Sequence, residues 1–210
     1  MGLFSRKRTD EAADVAADVE VETTDAPESK DRTRGPWDET DRPDRGELLD
    51  CGALWIPAVP GASIQFTMDR NRSMVLGVVY LVNGSALQIQ VFAAPRSRGL
   101  WDDIRLEMMT SIANQGGSSK EADGPLGLEL AAMLPGQDGK GQAPYRFMGV
   151  DGPRWLLRAT VYGRAGADPE KADELLKILD DVVVVRGQTP HPPRELLTLE
   201  IPSTIEATQA

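Results

Sequence analysis

The chain carries one cysteine, Cys51, and one histidine, His191, among 210 residues. A single thiol excludes an internal disulfide framework and fits a reducing compartment, so Cys51 is expected to serve packing. A Ser-His-Asp or Cys-His device would have to use His191, which is boxed between Pro190 and Pro192. Neither a G-x-S-x-G elbow nor a partner motif accompanies it. Zinc finds no Cys/His cluster. No Walker loop and no G-x-G-x-x-G occur, and the glycines of GQDGKGQAP (136–144) lack phosphate-loop spacing and a following helix. Asp102-Asp103 and Asp180-Asp181 are adjacent carboxylates, but neighbours on a helix diverge by about 100°, so charge at helix ends explains them better than shared-proton chemistry. The expectation is therefore no catalytic residue, no metal and no cofactor.

Long apolar runs are also missing. Nothing approaches the roughly 20 residues a spanning helix needs, and MGLFSRKR at the start leads into no signal-peptide core. A myristoylation pattern would want Ser or Thr at position 6, where Arg6 stands. A cytoplasmic protein is expected. Leu3 and Phe4 beside Arg6, Lys7 and Arg8 leave open a weak contact with an anionic membrane. Basic charge is in deficit too: the net charge is −10, and residues 1–50 hold 8 Lys+Arg against 15 Asp+Glu. That balance argues against nucleic acid as the ligand.

What is present begins with an acidic arm. Residues 9–31 carry nine carboxylates and one lysine with no aromatic residue, too little apolar area to offset the entropy of ordering. Residues 1–45 are expected to be a disordered arm, with a faint helical spacing at Ala12, Val15, Ala16 and Val19 that would allow helix on a partner. Trp37 stands out in it. Either it clips the arm to the domain or it is an anchor offered to another protein, and the clip is the simpler reading.

From residue 46 to 202 the texture is that of one folded domain, with a frayed tail at 203–210. Ala53–Val59, interrupted by Pro57, reads as an edge strand. Ile64, Phe66 and Met68 alternate with polar residues, Met74–Val82 reads as a central strand, and Asn83-Gly84 marks a hairpin into Leu87, Ile89 and Val91, with Gln88 and Gln90 outward. Gly99–Gln115 carries Trp101, Ile104, Met108 and Ile112 at helical spacing, followed by Gly116-Gly117 as a stop. Leu126–Leu134 alternates as a strand, and 135–144 is an exposed loop. Tyr145–Gly163 reads as a β-hairpin turning at Asp151-Gly152, with Trp155, Leu157, Ala159 and Val161 on the dry face and Arg154, Leu156, Arg158, Thr160 and Tyr162 on the other. Asp168-Pro169 opens a second helix with Ala172, Leu175, Leu176 and Leu179 on one stripe. Val182–Val185 gives a brief strand or a final buried turn, and Leu197, Leu199 and Ile201 an edge strand.

The remaining polar signal is arginine: Arg96 and Arg98 before the first helix, Arg146, Arg154 and Arg158 on the hairpin, and Arg186 and Arg194 after the last helix. A planar guanidinium suits carboxylate or phosphate recognition, so a face bearing Arg154 and Arg158 could accept an acidic peptide, the chain's own arm or a small anion. The competing reading is internal pairing with Glu129, Glu107 or Asp151.

Five runs, GPWD at 35–38, FAAPRSRGLWDDIR at 92–105, GVDGPRWLLR at 149–158, VVVRG at 183–187 and PPRELL at 192–197, resemble the signature of an uncharacterised actinobacterial family labelled only as a domain of unknown function. The resemblance spans residues 35–202 and implies a cytoplasmic actinobacterial protein, with no catalytic residue to carry over. The order of elements is similar to the PsbP/Mog1-like α+β sandwich, whose members are mostly binding proteins.

The sequence thus predicts an α+β domain with an antiparallel sheet of about six to seven strands packed with two main helices. Its expected role is a non-enzymatic adaptor or regulatory binding protein engaging a protein partner through Trp37, Arg96, Arg98, Arg154 and Arg158. The alternative is a small-anion sensor or enzyme with its site around Arg154 and Arg158.

Overall fold

The computed structural model describes residues 33–96, 99–136 and 141–203. The expected disorder of residues 1–32, the membrane contact of Leu3, Phe4, Arg6, Lys7 and Arg8, the placement of Arg98, part of the 135–144 loop and the frayed 204–210 lie outside the described residues. Among those described, no helix is long and apolar enough to cross a membrane.

Two sheets form the fold. The small one joins β1 (Trp37–Asp38), β2 (Leu49–Asp50), β3 (Leu54–Ile56) and β11 (Val183–Val184) in the order β1-β11-β3-β2. The large one is antiparallel and built from β4 (Ser63–Met68), β5 (Val75–Val82), β6 (Ser85–Ala93), β7 (Ser118–Gly124), β8 (Gly127–Pro135), β9 (Gln142–Gly152) and β10 (Trp155–Gly163), in the order β4-β5-β6-β10-β9-β8-β7. Helix α1 (Trp101–Asn114) follows β6; α2 (Arg164–Ala167), α3 (Pro169–Leu176) and a 3-10 stretch Lys177–Asp181 follow β10.

The local chemistry accounts for most of these elements. Asn83 and Gly84 both take positive φ, 50° and 77°, as a two-residue hairpin turn requires. Asp168 caps α3 by accepting from the Lys171 amide at 3.3 Å, with Pro169 in the first turn. Gly116, at φ 79°, stops α1.

Several expectations need correction. The hairpin between β9 and β10 turns at Pro153-Arg154, not Asp151-Gly152: Gly152 pairs with Trp155, and Arg154 takes the left-handed conformation at φ 64°. Gly152 is needed for space, since a Cβ there would lie 2.1 Å from the Trp155 ring. Strand β3 is not an edge, because β11 and β2 flank it. Residues 35–38, expected within the arm, are folded: β1 pairs in parallel with β11. The chain near 196–199 makes isolated bridges, Leu196 to Phe92 and Leu199 to Gly52 and Val75, rather than an edge strand.

The large sheet is buried on both faces, but at opposite ends. Trp155, Leu157, Ala159 and Val161 of β10 join β3, β5, β6, β11 and α3 in one core. On the reverse face, Leu156 joins Leu100, Trp101, Ile104 and Ile112 of the α1 region with Leu130, Ala132 and Phe147 in a second. One dry side had been expected of β10; it has two.

Candidate binding face

The alternation of β10 puts Leu156, Arg158, Thr160 and Tyr162 on the α1 side of the sheet. Helix α1 packs on β7, β8 and β9. Its position is set by two contacts. Gly149 of β9 admits the Trp101 ring, which a Cβ would approach to 2.2 Å. Asp151 accepts the Leu100 and Trp101 amides at 2.6 and 3.2 Å, serving as a long-range cap on the positive end of the helix. Its cover reaches Leu156 and Arg158 of β10 and Phe92 of β6, and the sheet face continues past them over β5 and β4.

Arg158 stands where the helix stops. Its Nη2 donates to Gln90 Oε1 at 2.6 Å, its Nη1 approaches Met108 Sδ at 3.9 Å, and its guanidinium lies 5.1 Å from the Phe92 ring centroid. Nε is buried without a hydrogen-bond partner. Among the described residues no carboxylate pairs with it, and desolvation pulls its pKa below the ordinary arginine value. Arg186 is also buried without a carboxylate pair among the described residues and spends its donors on the Arg154 and Thr189 carbonyls. Arg146 Nη1 is a second buried donor without a partner, but Arg146 and Arg105 are otherwise matched by carboxylates. Arg146 forks onto Glu129 with both bonds at 2.8 Å, and Arg105 reaches Glu121 at 2.7 Å and Asp102 at 2.6 Å.

From Arg158 the open face runs past Gln90, Gln88 and Thr160 to a depression of about 380 Å³ at the β5–β6 hairpin, walled by Leu81, Ala86 and Tyr162. Tyr162 stacks on Tyr145 with ring centroids 5.4 Å apart, and burial together with Tyr145 raises its hydroxyl pKa. The surface is therefore apolar at one end and cationic at the other, with amide and hydroxyl groups between them.

The sequence-derived site residues do not converge. Arg154 is a tether: its Nη2 donates to Gly187 O at 3.1 Å, while Arg186 Nε returns a bond to Arg154 O at 3.2 Å. Four residues along a strand separate it from Arg158 by roughly 13 Å. Arg96 is exposed at the end of β6. Trp37 takes the clip arrangement, with Nε1 donating to Asp180 O at 2.7 Å and Arg42 4.7 Å from its ring centroid. The anticipated internal pairing is found for Arg146 with Glu129 and for Arg194 with Glu107.

The adjacent carboxylates are also engaged at helix ends, Asp102 with Arg105, Asp103 with Arg194, Asp180 with Arg34 and Asp181 with Arg42. His191 Nδ1 lies 3.0 Å from Glu195 Oε2 at the surface. Cys51 is buried, and desolvation followed by the Asp50 charge pushes its thiol up to about 12, which removes it as a nucleophile. Among the described residues no group of three His, Cys, Asp or Glu could hold a metal. Strand alternation in the sequence places Gln88, Thr160 and Tyr162 on this face, but nothing in the sequence marks Tyr145 or the edge of the helix beside them.

A family profile described as "Protein of unknown function (DUF3710)" matches residues 35–208. No curated relative matches the chain. Among solved structures, the solution structure of cyanobacterial PsbP (CyanoP) from Synechocystis sp. PCC 6803 is similar at 13% identity and a TM-score of 0.36, covering 63% of this chain and 86% of that one.

Proposed function

Because the chain belongs to the DUF3710 family, whose description assigns no role, we propose from the geometry that it is a non-enzymatic binding protein that takes an acidic, amphipathic protein segment on the open half of its large sheet. The observation that carries this reading is Arg158, a desolvated cation with no carboxylate among the described residues, set where the cover of α1 ends on the large sheet. A partner carboxylate would supply the missing charge, and apolar side chains would cover Leu81 and Tyr162. A hydrogen bond between charged groups is worth about 1.5–3 kcal/mol, enough for a tenfold change in affinity.

The small-anion or enzyme alternative is less well supported, since Arg154 is occupied as a tether and stands apart from Arg158. The test uses the full chain and a short synthetic helix with leucines on one face and glutamates on the other. Amide resonances of Gln88, Gln90, Thr160 and Tyr162 should shift on titration, and Arg158→Gln should weaken binding about tenfold. Shifts confined to β7 or to the loops, or affinity unchanged in Arg158→Gln, would refute it.

A further inference from the structure

We infer that the first occupant of this face is the chain's own acidic segment, residues 10–22, bound in cis as a competitor of outside partners. The inference rests on the binding-face reading above and adds how that face is regulated.

Width comes first. Strands lie about 4.8 Å apart, so from β10, where α1 reaches Arg158, the sheet runs on by three spacings to β4, roughly 14 Å and room for one helix of 10–12 Å diameter. The layer that α1 begins is half built, and a second helix would complete it.

Pattern comes second. In residues 10–22, Ala12, Val15, Ala16 and Val19 recur at helical spacing, and Asp10, Glu11, Asp14, Asp18, Glu20 and Glu22 supply carboxylates with no basic residue among them. The face offers the complement, an apolar wall at Leu81 and Tyr162 and, at Arg158, a cation without a carboxylate among the described residues.

Reach is third. Thr33 precedes Arg34, which is tied to Asp180 on the opposite side of the large sheet. The chain from Asp18 to Thr33 extends to about 50 Å, and stacked layers sit about 10 Å apart, so it can pass round the sheet. Tethering supplies an effective concentration in the millimolar range, at which even one ion pair and a few alanine and valine contacts hold the segment in place much of the time. An outside segment must exceed that, so the acidic stretch filters weak ligands.

The test places a nitroxide spin label on Ala12→Cys in the full chain, with Cys51 retained because it is buried. Amide signals of Gln88, Gln90 and Thr160 should lose intensity about twofold or more, as millimolar tethering requires. Arg158→Gln, or Asp14→Asn with Asp18→Asn, should restore them. Undiminished signals, or a loss that Arg158→Gln leaves unchanged, would overturn the inference. The leucine/glutamate helix added in trans separates the two readings. If it shifts the open-face signals while the label leaves them intact, cis occupancy fails and the binding face stands; if neither has an effect, both fail.

Discussion

The indole N–H of Trp155 donates to Asp38 Oδ2 at 2.7 Å, joining the centre of the large sheet to a two-residue strand near the start of the described chain. Asp38 Oδ1 accepts from the Thr40 amide and hydroxyl at 3.0 and 2.7 Å, so this buried carboxylate is satisfied on both oxygens. Asp38→Ala strands a buried indole N–H and should lower unfolding free energy by about 2–3 kcal/mol, whereas Asp38→Asn, which keeps an acceptor, should lose less. Urea midpoints of the two variants read the difference.

Gly149 and Gly152 seat tryptophans on opposite faces of β9. A methyl at Gly149 would meet the Trp101 ring at 2.2 Å, and one at Gly152 would meet Trp155 at 2.1 Å. Both rings are packed against cores with little room to give. Either glycine changed to alanine should cost about 1–3 kcal/mol. Gly149→Ala should also alter tryptophan near-ultraviolet circular dichroism, because Trp101 is the ring displaced.

Arg146 and Arg158 occupy opposite faces of one sheet and should respond oppositely to the same change. Arg146→Met leaves Glu129, 3% exposed, without its cation and should cost about 3–5 kcal/mol. Arg158→Met removes a desolvated cation that no carboxylate offsets among the described residues, and stability should stay level or rise by about 1 kcal/mol. Thermal unfolding of the pair would contradict this account if Arg158→Met were the more damaging.

Alkali should destabilise the protein from about pH 9. An unfolded thiol titrates near 9.0, whereas Cys51 in the fold is pushed up to about 12 by burial and then by Asp50. Below the lower value both states hold the proton and the group contributes no pH dependence. Between the two values only the unfolded chain releases it, so stability falls by about 1.4 kcal/mol per pH unit. Tyr80, whose hydroxyl donates to Pro57 O at 2.7 Å, is also raised above its ordinary value of 10.0 by burial and then by Cys51, and acts in the same direction. Cys51→Ala should flatten the slope. Rapid alkylation of the folded protein at pH 8.5 would contradict the burial argument.

Local chemistry made much of the fold legible. Asn83-Gly84, Asp168-Pro169 and the Trp101, Ile104, Ile112 stripe each act within a few residues, and the structure uses them as their chemistry dictates. β7 was invisible because SSKEADG is an edge strand with one neighbour, and its charged, nearly apolar-free pattern carries no alternation to read. The pairing of Trp37 with Val183 was equally hidden, since two-residue strands far apart in sequence have no period. Asp151-Gly152 misled for a different reason: both residues serve tryptophans and a helix terminus distant in sequence, and the left-handed position falls on Arg154. Alternation put Gln88, Gln90 and Arg158 on one face, yet the contact of Trp101 with Gly149 and the Asp151 cap, both distant in sequence, determined which part of that face α1 would cover.

The account depends most on Arg158 as the charge that recruits a partner. Affinity capture from native lysate with the full chain, Arg158→Gln and Trp37→Ala, quantified side by side, addresses it directly. The account predicts a specific partner lost about tenfold with Arg158→Gln and retained with Trp37→Ala, whose indole is committed to Asp180. Equal recovery with all three proteins, or loss with Trp37→Ala alone, would contradict it.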